Sequence, residues 1–272
     1  MLKFFPDSSV VERVEPSPNF DERTGLARPD MIVLHYTGMR FSHDALHRLC
    51  DPVARVSSHY LVHENGSIMQ LVPEQKRAWH AGVASWGGDT DVNSRSVGIE
   101  IVNPGHEFGY PDFPSRQIAA VTTLCRAILT RNIIPSENIL AHSDVAPSRK
   151  QDPGEKFPWR LLAKSGVGLW LEPSAITATQ VLKPGDAGEK VAALQAALIE
   201  YGYGLEQTDR YDATTKDVVT AFQRHFRPAR IDGIVDTSTQ ETLRRLLLAR
   251  RQPTVPKAST APLDAAARAP HP

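Results

Sequence analysis

The chain has 272 residues, and lysine plus arginine (31) equals aspartate plus glutamate (31), so its formal net charge is zero. That balance argues against a nucleic-acid or anionic-membrane partner held by bulk charge, while the length allows one substantial domain and a small one. Cys50 and Cys125 lie far apart without CxxC spacing, which excludes a disulfide framework and a cysteine zinc site.

Met1-Leu2-Lys3-Phe4-Phe5 runs at once into Pro6 and Asp7, too short an apolar stretch for a signal sequence, and no window reaches the length of a membrane span. The expectation is a soluble, monomeric protein of the cytoplasm, with periplasm or cell envelope as the alternative. Residues 1–30 are polar and proline-punctuated and read as an extended arm. Met31 to Tyr36 is a short buried strand that ends on His35. Ser42 to Cys50 reads as a helix with Ser42 as its N-cap, and His43 and His47 on its polar face. Two apolar runs, 58–62 and 67–72, flank Glu64-Asn65-Gly66, a hairpin signal.

The loop 79–95 is rich in glycine and polar groups yet carries Trp79 and Trp86. Val97 to Val102 is again a strand, in which Ser96, Gly98, Glu100 and Val102 share one face. With Ser96 and Gly98 beside it, Glu100 is expected to face open space. Ser115 to Asn132 repeats apolar residues at helical spacing, with Cys125 as a small core residue. Ile139-Leu140-Ala141 forms a last strand that delivers His142 at its end. Elements mixed in this order predict an α/β domain with one central, mixed sheet flanked by helices, ending near Trp170. A linker follows over 171–180, then three short amphipathic helices within 181–250 that make a small C-terminal domain, then a disordered, proline- and alanine-rich tail over 251–272. His225, within the small domain, is expected at its surface.

Chemistry concentrates in Ile139 to Gly154. His142 and Asp152 lie ten residues apart across a loop stiffened by Pro147 and Pro153, and can approach one cation from two sides. His35 is the best third ligand. Two nitrogens and one carboxylate oxygen leave one tetrahedral corner for water, a set that suits one zinc ion per chain, and zinc lowers the pKa of water to about 7. Glu100 is the natural general base. Lys150 would repel the ion of a purely structural site, but fits a catalytic one where a substrate oxygen gains negative charge. The plainer alternatives are strand-end histidines satisfied locally, an edge-strand carboxylate and a solvated loop lysine.

Six segments then resemble one family in order: VLHYT (33–37), SSHYLV (57–62), VPEQKRAWHAG (72–82), NSRSVGIEIVN (93–103), AHSDVAPSRKQDPG (141–154) and FPWRLL (157–162). They are similar to the zinc N-acetylmuramoyl-L-alanine amidases of the amidase-2 type, whose fold is related to peptidoglycan recognition proteins, and most of all to its AmiD-like branch. The likeness runs from about residue 17 to 170. Residues 181–248 resemble a three-helix peptidoglycan-binding domain through LKPGDAGEKVAALQ, AFQRHF and IDGIVDTSTQETL, with Arg227-Pro228-Ala229-Arg230 as an insertion.

The resemblance implies that His35, His142 and Asp152 hold zinc, that Glu100 is the catalytic glutamate and that Lys150 stabilises the oxyanion. It implies that Trp79, His80 and Asn93 line a muropeptide groove. The partner is then peptidoglycan or its muropeptide fragments, and the reaction is hydrolysis of the amide between the lactyl group of N-acetylmuramic acid and L-alanine. Two other readings stand beside it: a muropeptide-binding protein of this fold without catalysis, and a zinc peptidase cutting within the stem peptide.

Overall fold

The computed structural model describes residues 3–25, 28–176 and 179–251. In chain order come β1 (Arg13–Val14), β2 (Phe20–Glu22), β3 (Met31–Tyr36), α1 (Ser42–Cys50), β4 (Tyr60–Val62), β5 (Ile68–Gln70), β6 (Lys76–Ala78), α2 (Val92–Arg95) and β7 (Ser96–Ile101). After these follow α3 (Ser115–Arg131), β8 (Ile139–Ala141), α4 (His142–Val145) and α5 (Trp159–Lys164). The C-terminal region holds β9 (Gln180–Leu182), α6 (Glu189–Tyr201), α7 (Ala213–Phe226), β10 (Val235–Asp236) and α8 (Thr237–Arg251).

The central sheet has the order β1-β5-β4-β7-β3-β8. Strands β4, β7, β3 and β8 run parallel, and β5 is antiparallel to β4, so the sheet is mixed. Parallel strands survive only with both faces covered, and the unbroken apolar run of β3, buried throughout up to His35, reflects this. The hairpin β4–β5 closes over 63–67, with Gly66 at φ 90°.

On one face Ile32, Leu34, Val97, Ile99 and Ile139 pack against Ile118, Val121, Leu124 and Ile128 of α3, with Cys125 fully buried among them. On the other face α1 covers the β4–β5 end through Leu49 against Leu61 and Met69. The rest of that face, Met31, Val33 and Leu140, shares one apolar cluster with Trp86 and Val92 and with Leu194, Leu198, Phe222 and Phe226 of the C-terminal helices. The C-terminal helices therefore roof the sheet.

One local expectation is corrected and another made specific. Phe41, with extended backbone, is the N-cap of α1, and Ser42 is its first helical residue. The arm, read only as extended, carries two short strands: β1 lies parallel to β5, and β2 lies antiparallel to β6, with Phe20 opposite Ala78. Backbone pairing of two or three residues leaves no side-chain period to read. Arg23 fastens the arm, donating to the carbonyls of Glu74 (2.9 Å), Asn93 (3.1 Å), Ser94 (2.9 Å) and Ser96 (2.9 Å). Beyond Arg251 the expected disordered tail lies outside the described residues.

Candidate active site

Parallel pairing aligns the C-terminal ends of β3, β7 and β8 along one edge of the sheet, where open α/β sheets place their ligands. His35 is opposite Glu100 in the β3–β7 register, and Leu34 is opposite Ala141 in β3–β8, so His142 follows at the same level. Strand alternation puts Met31, Val33 and His35 on one face with Ser96, Gly98 and Glu100. Asp152 returns by way of the 146–151 loop, which is tied back where the Ser143 N–H donates to the Asp152 carbonyl at 3.0 Å.

Three side-chain atoms meet there. The Nδ1 atoms of His35 and His142 are 2.8 Å apart, and Asp152 Oδ2 is 2.9 Å from His142 Nδ1 and 3.3 Å from His35 Nδ1. All three residues are buried, and they are the one group of metal-ligating side chains brought together in this way among the described residues. Donors each about 2.0 Å from a tetrahedral ion stand roughly 3.3 Å apart.

The hydrogen-bond network tests whether the set suits a cation. The Ser96 hydroxyl donates to the Val92 carbonyl at 2.6 Å, so its oxygen accepts from His80 Nε2 at 3.1 Å. His80 Nδ1 is then the acceptor for His35 Nε2–H, also at 3.1 Å. His142 Nε2 faces the Ala81 carbonyl at 3.1 Å, and a carbonyl can only accept. These partners place the protons on both Nε2 atoms and leave both Nδ1 lone pairs pointing at one carboxylate oxygen. Three lone pairs without a proton between them repel unless a cation sits at their centre, so the residues fit a metal ion.

Electrostatics agree. Burial, then the neighbouring His142, lower the His35 pKa to about 4, and burial and His35 hold His80 well below its usual value, so both stay neutral at pH 7. Asp152, pushed up by burial, is held below the usual carboxylate range only by positive charge and donors on the His142 and His35 side, the place a cation takes when both Nδ1 atoms are bare. Burial, with the Asp152 charge adding and Lys150 opposing, raises Glu100 well above its ordinary pKa.

Glu100 lies on the floor of a cleft of about 360 Å³, together with Trp79, Lys150, Arg48 and Tyr36. Two buried polar atoms here, Glu100 Oε2 and Trp79 Nε1, have no hydrogen-bond partner among the described residues. Unmatched polar atoms are costly in a core, and these two belong to residues that line the cleft.

The other expected residues divide. His80 touches the cleft, but both its nitrogens are engaged behind His35. Asn93 is not on the cleft wall: its Oδ1 accepts from the N–H of His80 (3.1 Å) and of Ala81 (2.9 Å), holding the tryptophan loop in shape. The face around Gly98 is not open space either, since the His80 ring lies directly on it. Sequence reasoning missed Ser96, Gly98 and Arg149 as parts of the site. Arg149 donates to the carbonyls of Ala81 (2.8 Å) and Val83 (Nε, 3.1 Å), locking the loop that faces His142. The available signal was two small residues alternating with apolar ones on a central strand, which asks what large group rests there.

Comparison with known proteins converges on one family. Residues 25–155 match the family described as N-acetylmuramoyl-L-alanine amidase, and residues 187–243 match a putative peptidoglycan binding domain. N-acetylmuramoyl-L-alanine amidase AmiD of Escherichia coli is 38% identical over 232 residues, 81% of this chain and 83% of that protein. The 1,6-anhydro-N-acetylmuramyl-L-alanine amidase AmpD of Citrobacter freundii is 37% identical over 53% of this chain and 84% of its own length. Among solved structures, E. coli AmiD in complex with the substrate anhydro-N-acetylmuramic acid-L-Ala-D-gamma-Glu-L-Lys superposes with a TM-score of 0.68 at 36% identity, covering 86% of this chain and 98% of that one. AmpDh3 of Pseudomonas aeruginosa in complex with anhydromuramic pentapeptide gives 0.65 at 30%, covering 90% and 97%.

Proposed function

The chain belongs to the N-acetylmuramoyl-L-alanine amidase family, and from that membership we propose how its residues hydrolyse the amide between the lactyl group of N-acetylmuramic acid and L-alanine in peptidoglycan fragments. His35, His142 and Asp152 hold one zinc ion, and the observation that carries this is their three converging lone pairs. Zinc bound there supplies Lewis-acid chemistry, acidifying water and polarising a carbonyl oxygen.

Glu100, in register with His35 and with one oxygen free, takes a proton from the water that attacks the amide carbon. It then passes that proton to the alanine nitrogen as the C–N bond breaks, and burial, which raises its pKa, favours the protonated form in between. Water thus gives a hydroxyl to the lactyl carbonyl, leaving a carboxylate, and a hydrogen to the departing peptide amine. Lys150 lines the same cleft and offsets the charge that builds on the carbonyl oxygen. Trp79 presents its ring and its free Nε1–H to the sugar or the lactyl amide.

One relative named above is a 1,6-anhydro-N-acetylmuramyl-L-alanine amidase, and the proposed role is cell-wall turnover or recycling. No helix of the described residues is long and apolar enough to cross a membrane. Recovery from cytosol on fractionation is the result expected for recycling of released fragments; recovery with the envelope matches work on the wall itself. Product analysis tests the reaction. Incubation with an anhydromuropeptide is expected to release intact stem peptide and a sugar bearing a free lactyl carboxylate. Cleavage within the peptide, or binding without products, overturns the assignment.

A further inference from the structure

Asp144 sits two residues beyond His142, is fully buried, and is not part of the cleft wall. Its Oδ2 accepts from the Ala141 N–H (2.8 Å) and from His225 Nδ1 (2.6 Å), and its Oδ1 accepts from the Tyr203 hydroxyl (2.8 Å). His225 lies in α7 and Tyr203 just after α6, so two of the three donors come from the C-terminal helices. This overturns the expectation of a surface His225. It is 2% exposed, because it follows Phe222 by three residues and Val218 by seven and shares their inward face. Its ring is clamped between Trp159 and Phe226, with centroids 3.8 and 3.9 Å away. A buried carboxylate without such donors is strongly unfavourable.

A second tie reaches the same histidine. The Ala81 carbonyl fixes the His142 tautomer from the loop after β6. Further along that loop the Ser85 N–H donates to the Val145 carbonyl at 2.8 Å, and Gly87 N–H donates to the Gly202 carbonyl at 2.8 Å. Trp86 enters the C-terminal helices edge-on to Tyr201 and Tyr203, with centroids 6.0 and 5.1 Å away. Gly202 permits this, since a Cβ there would stand 2.7 Å from the Trp86 ring. Both supports of His142, the short helix that carries it and the carbonyl that orients it, are thus anchored in the C-terminal region.

We infer that the C-terminal helices hold a metal ligand in place, with His225 and Tyr203 as positioning residues that act on His142 through Asp144. This rests on the metal reading of the site and adds a role that wall binding does not require. The test is zinc affinity, measured by competition with a chromophoric chelator on the full chain. Tyr203→Phe removes one hydroxyl and keeps the ring against Trp86; adding His225→Phe keeps the stack on Trp159 and removes the second donor. Leu243→Ala, buried in α8 and not among the partners of Asp144, controls for general destabilisation.

The zinc dissociation constant is expected to rise roughly tenfold or more in the double variant, as for loss of groups behind a metal ligand, and severalfold in Tyr203→Phe. Leu243→Ala is expected to lower the unfolding midpoint and keep the parent zinc affinity. If the double variant does not fold, Tyr203→Phe decides alone. A parent chain that takes up no zinc overturns the metal reading and this inference with it. A parent that binds zinc, with variants that bind equally well or a Leu243→Ala that weakens binding as much, overturns the inference alone.

Discussion

Gly98→Ala probes the network behind His35 without touching a ligand. A Cβ at position 98 falls 2.4 Å from His80 Cγ and 2.5 Å from Cδ2, where ordinary contact begins at 3.4 Å, so the ring must withdraw by about 1 Å. The ring is tethered at both ends, by His35 Nε2 and Ser96 Oγ, each at 3.1 Å. Stretching those contacts by about 1 Å takes them beyond hydrogen-bond range. A buried N–H on His35 then loses its acceptor, worth about 1–3 kcal/mol, and the ring is free to turn its Nδ1 away from Asp152. Zinc affinity is expected to fall about 10- to 100-fold, and overpacking should cost the metal-free chain about 1–3 kcal/mol of stability. Chelator competition reads the first and denaturant unfolding of the metal-free chain the second. A folded Gly98→Ala variant with the parent zinc affinity would refute the relay from Ser96 through His80 to His35.

Glu100→Gln keeps shape and removes the proton acceptor, so zinc uptake is expected to persist while peptide release from an anhydromuropeptide drops by about 10²- to 10⁴-fold; a variant retaining a tenth of the parent rate excludes Glu100 as the base. Dialysis against a strong chelator should abolish release and lower the thermal midpoint, because an ion that binds only the folded state stabilises it. Zinc should restore both, and a rate indifferent to chelation sinks the metal assignment. Asp91 supplies the pH test. Partial burial pushes its carboxyl up, but hydrogen bonds from Ser94 and Thr24 and the charge of Arg77 hold it down at about 2. A lowered folded-state pKa contributes stability that is complete above the ordinary carboxylate pKa and fades as pH falls toward 2. Parent and Asp91→Asn denaturation midpoints should therefore differ at pH 6 and converge near pH 2; a gap that persists in acid contradicts the assignment.

His35, His142 and Glu100 were legible because each ends or occupies an apolar run whose strand character is unmistakable, and parallel register does the rest, whereas Asp152 stood out only by its spacing from His142 across a proline-stiffened loop. Chemistry alone suggested His35 with His142 and Asp152, and their ligand atoms lie together in the structure. What stayed hidden depends on partners distant in sequence. His80 reads as one more groove residue, since nothing local reveals that Ser96 and His35 occupy its two nitrogens. Arg23 looks like an arm residue until four carbonyls are found around it. His225 was misplaced because a polar residue between apolar ones defaults to solvent, and only α4, packed against α7, supplies Asp144 as its reason for burial.

The shared apolar cluster of Met31, Val33, Leu140 and Trp86 with α6 and α7 bears on how this protein can be handled. A fragment stopped after α5 would leave those side chains wet, presenting a sticky patch on the face of the sheet that carries His35 and Glu100. Such a piece invites self-association and sluggish recovery from denaturant, and a feeble rate measured on it would report a missing wall more than a missing anchor to the sacculus. Transplanting the helical unit onto another enzyme faces the mirror problem: its inner surface is shaped for this sheet, so it cannot serve as an interchangeable tag.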